Sequence, residues 1–227
     1  MHSDVKILAG KVTEHGPFSS AINKQVITEP VWVSETGLSN DQQADKRFHG
    51  GPERALHYYP QEHYQAWLKQ YPAHPKMRIS GFGENISGLG FTEQNLAIGD
   101  IFQLGGAQLQ ISQPRSPCFK LNHRFEIANL ALQMQMTGRC GWFFRVLQPG
   151  WVKPNDSLTL IQRSDYQLML WQVLQSAYLE PFDKKTLKCW INDPYLADNW
   201  RKKACQRLQT GKIENWNDRL FGQSAFG

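Results

Sequence analysis

Cysteine is scarce in this sequence. Four occur in 227 residues, Cys118, Cys140, Cys189 and Cys205, and no two stand in a C-x-x-C spacing. That excludes a thioredoxin-type motif and a zinc knuckle, and a chain of this length needs no disulfide framework to bury a core. No apolar run reaches the ~18 residues of a membrane helix. Residues 1–10 lack the apolar centre of a secretory signal, so a cytoplasmic protein with no membrane association is expected. The seven histidines form no His-Glu-x-x-His pair, and neither a Walker A loop nor a G-x-G-x-x-G turn is present. Charge is modest, 20% of residues with a net of +5. The cations are spread along the chain and carry no interleaved aromatics, so no nucleic-acid partner is expected.

What is present is a β-rich pattern followed by helices. Val5, Ile7, Ala9 and Val12 predict a strand over 5–14, and short strands follow at 22–27 and 31–33, broken by Pro30. The apolar and aromatic run 55–59 suits a buried strand. Pro60 opens a helix whose Tyr64, Trp67, Leu68 and Tyr71 share one face. Gly105-Gly106 is a hairpin turn, after which Ala107, Leu109 and Ile111 alternate with Gln108, Gln110 and Ser112 as a half-buried strand. A helix with Ile127, Leu130, Ala131 and Met134 on one face ends at Gly138, and strands are predicted over 142–147 and 158–162. From Ser164 only helices are expected. The first carries Tyr166, Met169, Leu170, Val173, Leu174 and Ala177, the second is capped by Asp183, and the third stops at Gly211. The reading is thus a β body over 1–163 and a three-helix domain over 164–227. Arg201, Lys202, Lys203 and Arg207 form either a solvated helix face or a docking face for an acidic partner.

Three loops concentrate chemistry. In 45–54, Gly50 and Gly51 stand among Lys46, Arg47, His49 and Arg54. Glycines let the backbone approach a ligand, consecutive N–H groups can nest an anion, and Arg54 brings a fork suited to phosphate or carboxylate. The same residues also read as a solvated basic turn. In 82–85, Glu84 and Asn85 follow Gly83, and Asn85 either satisfies turn backbone or binds a heterocycle edge. In 114–121, Cys118 lies between Pro114 and Pro117 and between Arg115 and Lys120, at the end of a predicted strand. The prolines stiffen the turn, and nearby cations would favour a thiolate that binds metals. The alternative is a small buried hydrophobe. His57 and His63 flank a strand–helix junction and read as structural.

As a set these loops resemble the MOSC family, named for the C-terminal domain of molybdenum-cofactor sulfurase. The resemblance rests on Asp45, then 49–55 (His-Gly-Gly-Pro-Glu-Arg-Ala), Tyr59, Phe82-Gly83-Glu84-Asn85, Gly99-Asp100 and Pro114-Arg115-Ser116-Pro117-Cys118-Phe119-Lys120-Leu121. It covers the chain from about Gly10 to Leu220, including the three tail helices that a bacterial subgroup appends. It implies a mainly β fold, a MOSC-type β-barrel with a few helices followed by the small helical domain. It implies a molybdopterin-type molybdenum cofactor ligated by Cys118, and reduction of N-hydroxylated compounds such as hydroxylaminopurines and amidoximes. Lys46, His49, Gly50, Gly51, Arg54, Asn85 and Arg115 would then hold the cofactor, and Glu84 would act with Cys118 in catalysis. His49, His57, Glu84 or a water could give the proton. Electrons would come from a separate flavoprotein, and the chain would be a monomer or homodimer. A cofactor or sulfur carrier using Cys118 is the alternative reading.

Overall fold

The computed structural model describes residues 1–15, 18–44 and 50–222. Its strands are β1 (His2–Ala9), β2 (Thr13–His15), β3 (Phe18–Ser20), β4 (Gln25–Val26), β5 (Val31–Ser34), β6 (Gly37–Leu38), β7 (Leu56–Tyr58), β8 (Ile86–Gly88), β9 (Ile101–Leu104), β10 (Ala107–Pro114), β11 (Trp142–Gln148), β12 (Gly150–Val152) and β13 (Ser157–Gln162). Its helices are α1 (Gln61–Gln70), α2 (Lys120–Phe125), α3 (Leu130–Thr137), α4 (Leu170–Tyr178), α5 (Lys184–Asn192), α6 (Asp198–Thr210) and α7 (Asn217–Phe221).

Seven strands close into a barrel. The order is β13, β9, β10, β11, β7, β8, β1, and β1 pairs back onto β13 through Ser3 and Leu158. All neighbours in the ring are antiparallel except β7 and β8, which makes the barrel mixed. Closure leaves no open edge along the ring. β5, β6 and β12 form a small separate sheet, and β2 and β3 form a hairpin.

The alternation expected in β10 is present, with Ala107, Leu109 and Ile111 wholly enclosed. Its other face, expected to meet solvent, is also covered: Gln110, Ser112 and Gln113 are buried. The tail helices account for this. Trp200 in α6 donates its indole N–H to Gln113 Oε1 at 2.9 Å, and the Ala197 N–H reaches the Ser112 carbonyl at 3.0 Å. One apolar cluster therefore runs unbroken from Ile7, Phe102, Leu109 and Trp142 in the barrel to Val173, Leu187, Trp190 and Trp200 in the tail. A second cluster, with Tyr59, Tyr64, Trp67, Phe82, Phe125 and Met134, packs α1, α2 and α3 beside it.

Three local expectations change. The helix predicted from Tyr166 starts at Leu170, because Gln167 takes a positive φ of 52° and Met169 bridges to Ala97. The helix predicted from Ile127 starts at Leu130 and ends at Gly138 as expected; a separate short helix, α2, precedes it and stops where Glu126 turns left-handed at φ 57°. The basic face of α6 is dismantled. Arg207 is buried, pairs with Glu214 through two contacts, and donates to the Ser176 and Ala177 carbonyls. Lys203 lies 5.0 Å over the Trp200 ring. Of the four cations, Lys202 alone is exposed; Arg201 and Lys203 are half-buried.

Candidate functional site

The Cys118 turn sits where the barrel meets its helices. β10 ends at Pro114, and the Arg115 N–H donates to the Gly141 carbonyl at 3.0 Å, which ties the turn to the start of β11. α2 begins two residues after Cys118, with the Leu121 N–H on the Cys118 carbonyl at 3.0 Å. Cys118 is half-buried. Cys140 contrasts with it: fully enclosed, its thiol donating to the Met134 carbonyl at 3.3 Å, its pKa pushed up by burial. Cys189 and Cys205 stand on α5 and α6. Among the described residues no three His, Cys, Asp or Glu side chains gather as a metal site.

A row of contacts links the turn to the glycine loop. Arg115 Nη1 donates to the Phe82 carbonyl at 2.8 Å and lies 3.5 Å from His57 Nε2. The His57 ring is 5.1 Å from Phe143, and the Arg54 guanidinium lies 6.0 Å from the same ring. His57 is buried and its pKa is well below the usual imidazole value, first through desolvation and then through the Arg115 charge. Its ring is neutral at physiological pH. Gly51 takes φ 95°, favourable to glycine, and a side chain there would meet nothing within 4 Å. The following turn is held to the barrel, since Ser112 Oγ and Gln113 Nε2 both donate to the Glu53 carbonyl, at 2.7 and 3.0 Å. Gly50 lies partly exposed at the head of this turn, while Lys46 and His49 lie outside the described residues.

Glu84 and Asn85 occupy the floor beneath this row. The Glu84 carboxylate is fully enclosed and accepts from Tyr64 Oη, the Ser80 N–H at 2.7 Å and the Phe82 N–H at 3.1 Å. Burial raises its pKa against the pull of those donors and of Arg115. It holds the 80–85 loop that presents the Phe82 carbonyl to Arg115; the sequence reading placed it as a lining catalytic group. Asn85 accepts from the His57 N–H at 3.2 Å and donates to the Leu8 carbonyl at 3.2 Å and to Asp41 at 2.9 Å. Here the turn-bracing alternative describes its contacts.

Three participants escaped the sequence reading. Lys24 and Asp41 form a buried ion pair beside Asn85. Nothing in their spacing announces it, because 17 residues and a change of strand separate them. Arg219 in α7 donates to the Pro117 carbonyl, and its own carbonyl accepts from the Phe119 N–H at 2.7 Å. A separation of 102 residues between Arg219 and Pro117 keeps this contact out of any local pattern.

With this geometry in view, the relatives are informative. The MOSC domain family model matches residues 45–159. Protein YiiM of Escherichia coli K12 is 38% identical over 226 residues, covering 98% of this chain and all of the relative. A Gibberella moniliformis protein named Reductase is 38% identical over 164 residues, 70% of this chain but 29% of its own length. The crystal structure of YiiM from Escherichia coli superposes with a TM-score of 0.84, 34% identity, and coverage of 98% of this chain and 100% of that one. The barrel and the tail helices are thus shared along nearly the whole length, and the chain belongs to the MOSC-domain family.

Proposed function

We propose that the protein is a molybdenum-cofactor-dependent oxidoreductase that reduces N-hydroxylated compounds, hydroxylaminopurines and amidoximes among them, to amines and amidines. The observation that carries this reading is the half-buried Cys118 thiol on a braced turn, with Arg115, His57 and Arg54 arrayed alongside. The donor set fits a molybdopterin-type group. One soft thiolate suits molybdenum, guanidinium forks suit the group's phosphate, and the open approach at Gly51 admits an anion to the backbone. The Reductase relative adds support from its name.

When bound, the molybdenum centre supplies two-electron chemistry, R–NHOH + 2 H⁺ + 2 e⁻ → R–NH2 + H2O. Cys118 would ligate it. Arg54 and Arg115, with Lys46, His49, Gly50 and Gly51 of the loop, would hold its anionic and pterin parts. Asn85 would keep the loop beneath it in place, and Glu84 would hold Arg115 in position through Phe82. Desolvation and the Arg115 charge hold the His57 pKa well below the usual imidazole value, which disfavours His57 as the acid, so the proton would come from another group or from water. Electrons would arrive from a separate flavoprotein.

The test is expression in hosts with and without molybdopterin synthesis. Bound molybdenum is measured, and 6-hydroxylaminopurine reduction is assayed with an artificial electron donor. The expected result is molybdenum and turnover only in the first host. Protein without molybdenum there would overturn the proposal, and molybdenum without turnover under a working electron supply would favour a cofactor carrier.

A further inference from the structure

A cavity of about 210 Å³ lies on the helical side of the Cys118 turn, and none of the residues proposed to hold the cofactor line it. Its walls come from Ser116 in the turn, Tyr178 at the end of α4, Trp200 and Lys203 on α6, and Trp216 and Arg219 around α7. Ser116 sits two residues before Cys118, and Tyr178 Oη lies 3.1 Å from its hydroxyl. Tyr178 and Trp216 meet edge to face at 5.5 Å and give the cavity an aromatic wall.

The charges in it do not cancel. Glu214 is the carboxylate of the lining, and Arg207 engages both its oxygens, at 3.1 and 2.7 Å. That pair is internally neutral. Lys203 has a ring beneath it but no carboxylate in salt-bridge contact among the described residues. Arg219 donates from Nη1 to the Pro117 carbonyl and from Nη2 to Gln135 Oε1, both uncharged acceptors, which leaves its charge unneutralised and three of its five N–H groups to spare. Two cations thus face one small aromatic-walled space beside the turn that carries Cys118. Such a space suits an anion attached to a planar or sugar-like body. A whole drug-sized ligand needs roughly 300–1,000 Å³, so this cavity takes one end of a molecule.

We infer that this cavity is a substrate subsite for an anionic group, and that the substrate is an N-hydroxylated nucleotide whose phosphate sits between Lys203 and Arg219 while its base reaches the Cys118 turn. The inference rests on the reductase reading and adds the substrate class to it. It also gives the 164–227 tail a task, because every wall except Ser116 belongs to it. The reaction is the same two-electron, two-proton reduction at nitrogen, and the phosphate takes no part in bond making.

Two arms test it. In the first, adenosine 5′-monophosphate and adenosine are titrated calorimetrically into the purified protein. The nucleotide should bind at least about tenfold tighter, inorganic pyrophosphate should displace it, and Lys203→Met should erase the difference while Lys203→Arg keeps it. Equal affinity for nucleotide and nucleoside in the wild type overturns the inference without recourse to any variant. In the second arm, Lys203→Met should raise KM for the monophosphate of 6-hydroxylaminopurine riboside by about tenfold, with kcat kept and the free base unaffected. Loss of bound molybdenum in Lys203→Met would assign the cavity to the cofactor and overturn the substrate subsite. If no N-hydroxylated compound is reduced at all, the reductase reading falls, and the calorimetric arm still decides whether the cavity binds a nucleotide.

Discussion

The Arg219 guanidinium donates to the carbonyl of Pro117, and the Arg219 carbonyl accepts from the Phe119 N–H at 2.7 Å. Cys118 is therefore clamped on both sides by one residue of the last helix. The clamp is reinforced by Asn122 Nδ2 on the Leu220 carbonyl at 2.8 Å. Arg219→Met removes the side-chain half and leaves the backbone half. A charge-assisted hydrogen bond of this kind contributes about 1.5–3 kcal/mol. Alkylation of Cys118 by iodoacetamide should quicken by several-fold in the variant, with peptide mapping as readout. An unchanged rate would mean that the turn holds its shape without the tail.

Cys118→Ser changes one atom at a half-buried position in a turn. The melting temperature should stay within about 2 °C of wild type, since substitutions away from core packing usually cost less than about 0.5 kcal/mol. Bound molybdenum and reductase turnover should both disappear. A serine variant that kept its molybdenum would remove the thiol from the coordination sphere. One that unfolded would return Cys118 to the buried-hydrophobe reading.

How much of this was legible beforehand depends on the range of the contact. The strand from Ala107, the 105–106 turn and the Asp183 cap are local, and residue patterning carries them; Asp183 indeed accepts from the Lys185 and Thr186 N–H groups at 3.1 and 3.2 Å. The second buried face of β10 was not legible, because Gln113 is polar and its cover, Trp200, lies 87 residues away. The same holds at the site. Cys118, Arg115 and Arg54 were picked out by residue type and order. Glu84 was picked out as well, but its commitment to Tyr64, Ser80 and Phe82 follows from folding of the loop, which spacing does not encode.

The Lys24–Asp41 pair offers a separate test of the floor. Both side chains are almost wholly enclosed, and Asp41 also accepts from the Gly10 N–H at 2.7 Å and from Asn85. Asp41→Ala strands a buried ammonium and should cost about 3–5 kcal/mol in a denaturant titration. Adding Lys24→Met to that variant should restore part of the loss, because the unpaired charge goes with it. No recovery in the double variant would show that the hydrogen bonds of Asp41, rather than the charge of Lys24, hold the loop.

His57 makes the site's stability depend on pH, and the sign follows from its surroundings. Desolvation, Arg115 and Lys24 all disfavour the imidazolium in the folded protein, opposed by backbone groups of Cys140 and Gly83. An unfolded histidine takes up its proton near pH ~6.5. Below that value, down to the depressed folded pKa, the unfolded chain binds the extra proton, so stability rises with pH and is lost on acidification. The slope from one such group is at most about 1.4 kcal/mol per pH unit. His57→Gln removes the titrating ring. The difference in unfolding free energy between wild type and variant should therefore climb between pH 5 and about 6.5 and level off above it. A flat difference across that range would mean that the folded ring takes its proton as readily as the unfolded one, and that Arg115 does not hold it neutral.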